Sequence, residues 1–79
     1  MKSVHYSADA LNALRKHRKD AEKVMAKIDR YAATGAGDVK SLVGRSGKRL
    51  RVGPYCVLFE EDETTLHVSN IGPRGAIYD

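Results

Sequence analysis

Arg49 and Arg51 stand two residues apart in the stretch Lys48-Arg49-Leu50-Arg51-Val52, and in a strand every second side chain shares a face. Arg45 and Lys48 lie close by, and residues 41–59 carry no acid at all. Arg74 and Tyr78 follow near the end of the sequence. Arginine suits phosphate because its planar fork donates two parallel hydrogen bonds and stays charged at any working pH. In RNA cleavage the 2′-hydroxyl attacks the adjacent phosphorus, charge builds on the non-bridging oxygens, and prepositioned cations stabilise that charge. Lys48, Arg49, Arg51, Arg74 and Tyr78 are groups suited to such chemistry if a sheet gathers them near one open face. The competing reading is a solvated strand face on which arginines serve solubility and guard an edge.

Other chemistries find less support in the residues. His5, His17 and His67 are far apart in sequence, and none has a second His or Cys at a ligand spacing. No glycine loop runs into Gly-Lys-Ser/Thr. Neither a metal nor a nucleotide cofactor is expected. Cys56, the single cysteine, sits in mid-strand and reads as a packing residue rather than a nucleophile. A lone cysteine makes no internal disulfide, which points to a reducing compartment. The first residues lack an apolar signal core, and no apolar run approaches the roughly 18 to 20 residues that cross a bilayer. The expectation is a cytoplasmic protein without membrane contact.

The elements that must position these groups fit one small domain over residues 1–79. A chain of this size buries only about 60% of its unfolded surface, so a large enclosed active-site cavity is not expected and any site should lie open on the surface. Lys and Arg total 14 against 10 Asp and Glu, net +4, and the charge is segregated. Residues 1–40 carry nine basic and five acidic side chains, whereas residues 60–79 carry five acids against Arg74 alone. A basic block on a small domain is the footprint of a polyanion partner, nucleic acid first.

Val4 and Tyr6 alternate with Ser3, His5 and Ser7 as a short strand does. Ser7 or Asp9 can cap a helix containing Ala10, Leu11 and Leu14, and the polar run Arg15 to Asp20 interrupts the pattern. Ala21, Val24, Met25, Ile28, Tyr31 and Ala32 then predict a second helix from about Asp20 to Ala33, ended by Gly35 and Gly37. From residue 38 the period becomes two. Turn residues at Ser46-Gly47, Gly53-Pro54, Glu61-Asp62-Glu63 and Gly72-Pro73 separate strands around Leu50 and Val52, Val57 and Phe59, and Leu66 and Val68. The fold class is α+β: an N-terminal strand and two helices packed on one face of a small, mostly antiparallel sheet, the other face partly open. A two-residue Gly53-Pro54 loop sets Val52 opposite Tyr55, Leu50 opposite Val57 and Arg51 opposite Cys56. The run Glu60 to Glu63 reads as a solvated hairpin loop.

The stretch Lys48-Arg-Leu-Arg-Val-Gly-Pro-Tyr-Cys-Val-Leu-Phe-Glu60, followed by Leu66-His-Val-Ser-Asn-Ile-Gly-Pro-Arg-Gly-Ala-Ile-Tyr78, closely resembles the RelE/ParE family of bacterial toxins from type II toxin-antitoxin pairs. Asp38 to Gly44 resembles the family's lead-in to the sheet, and with the first strand and helices the resemblance covers nearly the whole chain. It implies a metal-independent, ribosome-dependent mRNA endonuclease that inhibits translation. On that resemblance Arg51, Arg74 and Tyr78 are the catalytic residues. Arg45, Lys48 and Arg49 are RNA-binding, with Arg49 and Arg51 on the mRNA phosphates. The implied partners are the ribosome with its mRNA and a short, partly disordered antitoxin, with promoter DNA contacted only through that antitoxin. The sequence departs from the pattern at Cys56, where many members place an arginine. Two alternatives stay open: a ParE-like DNA gyrase inhibitor that acts by binding, and a catalytically weakened toxin retained as an antitoxin partner.

Overall fold

The computed structural model describes residues 2–44 and 46–73. Its elements run β1 (Ser3–Tyr6), α1 (Ala8–Lys16), α2 (Arg18–Thr34), β2 (Asp38–Ser41), β3 (Lys48–Val52), β4 (Tyr55–Glu61) and β5 (Thr65–Pro73). The five strands form one sheet in the order β1-β5-β4-β3-β2, antiparallel except for the β1·β5 pair. This is the expected α+β architecture.

Ser7 is the cap of α1: its Oγ accepts from the Ala10 N–H at 3.0 Å, satisfying one of the free donors at the helix start. The same hydroxyl donates to the Ser69 carbonyl, tying α1 to β5. The polar run after Leu14 does not break helicity over its whole length. Only His17 leaves the helical region, at φ −111° and ψ 50°, and α2 restarts at Arg18, two residues earlier than the apolar spacing suggests. At the far end of α2, Gly35 takes a left-handed φ of 76° and returns its N–H to the Tyr31 carbonyl, a conformation glycine adopts without steric cost.

Both helices pack on one sheet face. Ala10 and Leu14 of α1 and Val24 and Ile28 of α2 meet Leu50, Val52, Val57, Phe59, Leu66, Val68 and Ile71 in one core. The hairpin register is the expected one, with Val52 opposite Tyr55, Leu50 opposite Val57 and Arg51 opposite Cys56. Gly53 takes the first turn position at φ 56°, the glycine-first order that a tight hairpin of right-handed twist needs. Between β4 and β5 the register slips: Leu58 pairs with Asn70 but Phe59 pairs with Val68, leaving Ser69 extra. A bulge of this kind reverses the side-chain parity, which is how Leu66, Val68 and Ile71 all reach the core.

Two expectations are corrected. The alternation of Val57 and Phe59 with Cys56 and Leu58 predicts a half-buried β4, but Cys56 and Leu58 on its outward face are 5% and 8% exposed, as befits the central strand. The acidic run is not all loop either. Glu60 and Glu61 close β4, and the turn that follows is held by Asp62, whose Oδ1 accepts from the Thr64 and Thr65 N–H groups.

Candidate nucleic-acid interface

The face of the sheet away from the helices is laid out by cross-strand pairing. Asp38, Arg51, Cys56 and Gly72 lie in one row across β2, β3, β4 and β5, and Lys40, Arg49, Leu58 and Asn70 lie in the next. Directly opposed side chains in such rows sit about 4.5 to 5.5 Å apart at Cβ. Arg51 is exposed and Arg49 half-buried. Beside them Cys56 and Leu58 are both buried, and Gly72 adds no side chain. The result is two guanidinium-bearing positions side by side on the helix-free face.

Lys48 is not on this face. It pairs with Phe59, on the helix side, and its ammonium donates to Glu61 Oε2 at 2.8 Å. Glu61 also accepts from Lys2 Nζ and from the Tyr31 hydroxyl at 2.6 Å. Desolvation pushes the Glu61 carboxyl up, but the three donors Lys2, Lys48 and Tyr31 outweigh it and hold the pKa at about 2. In turn, the hydrogen bond to Glu61 raises the Lys48 pKa. The placement expected of Lys48 near the open face is thus corrected by strand alternation, which sends residue 48 the same way as Leu50 and Val52. Tyr55 is likewise on the helix side, its hydroxyl donating to Asp20 Oδ2 at 2.6 Å and its ring meeting His17 edge-on at 5.2 Å.

Three of the expected site residues, Arg45, Arg74 and Tyr78, lie outside the described residues. Arg74 follows directly on Pro73, the last residue of β5, which pairs with Tyr55. Two residues of the face went unremarked in the sequence: Lys40, opposite Arg49, and Asp38, opposite Arg51. Their signal was the alternation of Asp38 and Lys40 about Val39, which is short and weak. The histidines also hold a surprise. His5 and His67, 62 residues apart in sequence, are register partners in the parallel pair with ring centroids 5.8 Å apart, and His67 Nε2 lies 3.8 Å from Asp62 Oδ2. Among the described residues no group of three or more His, Cys, Asp or Glu is placed to hold a metal ion. Nor, among them, is any helix long and apolar enough to cross a membrane.

Neither a protein-family model nor a curated protein matches the sequence. Solved structures do match the fold. The chain is similar to YafQ in the E. coli DinJ-YafQ toxin-antitoxin complex, at 15% identity and TM-score 0.78 over 99% of this chain and 98% of that one. It is similar to a chain of the archaeal RelE-RelB complex from Pyrococcus horikoshii, at 19% identity and TM-score 0.77 over 95% and 97%. It is also similar to YoeB, a dimer from Staphylococcus aureus, at 12% identity and TM-score 0.72 over 87% and 92%. With the strand order, the two-helix layer and the open face described above, these likenesses establish that the chain has the RelE-like toxin fold.

Proposed function

We propose that the chain is the toxin of a type II toxin-antitoxin pair and a metal-independent endonuclease of mRNA on the ribosome. The observation that carries the proposal is the placement of Arg49 and Arg51 together on the helix-free face of a RelE-like sheet, opposite the buried Leu58 and Cys56. In this reading a nucleotide lies across β3 and β4 with its phosphate on Arg51. The 2′-hydroxyl attacks phosphorus, the bond to the 5′-oxygen of the next nucleotide breaks, and a 2′,3′-cyclic phosphate and a 5′-hydroxyl result. Arg51 and Arg74 stabilise the charge on the phosphorane, and Arg49 holds the neighbouring phosphate. Tyr78 stacks on a base or assists removal of the 2′ proton. Arg45 and Lys48 contribute positive charge to RNA binding, Lys48 at longer range because its ammonium is held by Glu61. The toxin acts in the cytoplasm, and a partly disordered antitoxin masks the basic face and links the pair to its promoter.

The test is induced expression without antitoxin, comparing wild type with Arg51→Ala, Arg74→Ala and Tyr78→Phe. Primer extension maps mRNA ends, and plasmid supercoiling is read from the same cultures. Loss of one phosphate-directed cation should reduce translation-dependent cleavage by about 10² to 10³. Intact mRNA with altered supercoiling would move the protein to the gyrase-inhibiting reading. Neither effect would identify a weakened toxin kept as a binding partner.

A further inference from the structure

His5 and His67 stand side by side on the helix-free face, and the function proposed above makes no use of them. Alternation explains the placement: Val4 and Tyr6 turn towards the core from β1, and Leu66 and Val68 from β5, so the residue between each pair points outward. Parallel pairing then sets His5 directly against His67, with ring centroids 5.8 Å apart. Both are exposed, the His67 side chain at 56%, so the pair contributes little to packing. A carboxylate approaches from the turn before β5, where Asp62 Oδ2 lies 3.8 Å from His67 Nε2. The other oxygen, Oδ1, accepts from the Thr64 and Thr65 N–H groups, which fixes the carboxylate in place. Glu60 of β4 is the other register partner of His67, its Oε2 accepting from Ser46 Oγ. Two imidazoles and two carboxylates thus come together from three strands and one turn.

We infer that His5 and His67, with Asp62, bind a divalent transition-metal ion such as zinc and so fasten β1 to β5. Imidazole nitrogen and carboxylate oxygen are donors that such an ion takes, whereas magnesium and calcium call for oxygen alone. The spacing fits. At a metal–nitrogen distance of about 2.0 to 2.1 Å, two imidazoles sharing one ion have ring centroids about 5.2 Å apart at the tetrahedral angle and about 6.4 Å apart in line. The observed separation of 5.8 Å lies between these. An imidazole nitrogen and a carboxylate oxygen on one tetrahedral ion stand about 3.4 Å apart, against 3.8 Å between His67 and Asp62. Among the described residues no group of three is already in coordinating position, so binding draws the Asp62 oxygen and the two exposed rings inward by small side-chain rotations. Glu60 adds negative charge beside the ion, and water completes its shell. The row of Glu60 lies about 13 Å along β4 from the row of Arg51, so the ion takes no part in the phosphate chemistry proposed above. It closes the one pairing among the five strands that joins elements not consecutive in the sheet's sequence order.

The experiment titrates zinc chloride into the full chain, expressed without a polyhistidine tag and stripped of metal with EDTA, and reads binding by calorimetry and stability by thermal unfolding. Wild type should take up one equivalent of zinc and melt at a higher temperature with it, because the ion binds the folded chain. His5→Gln and His67→Gln should each bind at least about tenfold more weakly. Asp62→Asn keeps an oxygen to accept from Thr64 and Thr65 but loses the charge, and should also weaken binding by about tenfold. His17→Gln, whose ring lies against Tyr55, should stay within about twofold of wild type. In EDTA the His5 and His67 variants should melt within about 4 °C of wild type, since both positions are exposed. The inference is overturned if wild type shows no saturable uptake of zinc, if either His variant or Asp62→Asn binds as wild type does, or if His17→Gln loses as much. A larger fall in melting temperature in EDTA would also overturn it, by showing the two rings to be a packing pair. Cleavage is not part of the readout, so the site stands or falls independently of the nuclease reading.

Discussion

On the nuclease reading proposed above, Cys56 is where residue chemistry bears most directly on activity. It lies opposite Arg51 on one side and Gly72 on the other, and is 5% exposed. A thiol here contributes packing and no charge beside Arg51. An arginine at the same position could extend over Gly72, which has no side chain to obstruct it, and add a second fork beside Arg51. Like charges directly opposed across strands repel, so the added cation has a structural cost. Cys56→Arg is therefore expected to raise translation-dependent cleavage about tenfold and to lower stability by about 1 kcal/mol. Quantitative primer extension and urea unfolding of the same variant check the two halves. Unchanged cleavage with the expected instability would mean that no phosphate passes over position 56.

The elements show what a sequence can and cannot announce. The β3–β4 register was legible because apolar alternation on both sides of Gly53-Pro54 leaves one pairing that buries Leu50, Val57 and Phe59 together. That pairing placed Arg49 and Arg51 on the open face, where the register puts them. It also decided against Lys48, since parity assigns residue 48 to the face of Leu50. The parallel β1·β5 pair was not legible, because its partners are far apart in sequence and no turn joins them, and with it the meeting of His5 and His67 was missed. Glu61 was misread because three neighbouring acids resemble a loop, whereas its donors Lys2, Tyr31 and Lys48 come from three separate places in the chain. Ser7 illustrates how one small residue joins elements: it caps α1, and its hydroxyl and backbone N–H bind the Ser69 and Val68 carbonyls of β5. Ser7→Ala removes both side-chain bonds and is expected to cost about 1 to 2 kcal/mol. Thermal unfolding measures it, and a loss below a few tenths would show that water replaces both bonds.

Across the described residues, both ends of the sheet carry charge of both signs. Arg51 stands with Asp38 at the end where the β3–β4 hairpin turns, near Asp20, and Glu60, Asp62 and Glu63 stand with Lys2 and Lys48 at the other, roughly 20 Å away along β4. At this second end Glu61 joins the residue before β1, α2, β3 and β4 through Lys2, Tyr31 and Lys48. Its carboxyl titrates near 2 in the folded chain, below the ordinary value of 4.5. The stability it confers is therefore present above about pH 4.5 and is lost as the pH falls towards 2. Because both lysines are partly exposed, 28% and 42%, the clasp is worth about 1 to 2 kcal/mol. Glu61→Gln should be less stable than wild type by that amount at pH 7, and the two should converge near pH 2. Urea midpoints measured from pH 7 to pH 2 test this, and parallel curves would show that another group controls acid unfolding.

The pairing of β1 with β5 sets the order of assembly. Of the five strands of this sheet β1 is made first, yet Ser3 pairs with Thr65 and Tyr6 with Val68. During synthesis β1, α1 and α2 emerge with their apolar faces uncovered, because the strands that receive them have not been translated. Closing so distant a contact is slow, since loop entropy must be overcome before the contact gives any return. The chain completes its sheet only once Thr65–Pro73 has been translated. The interval between emergence and closure is when a nascent chain is open to capture by other proteins.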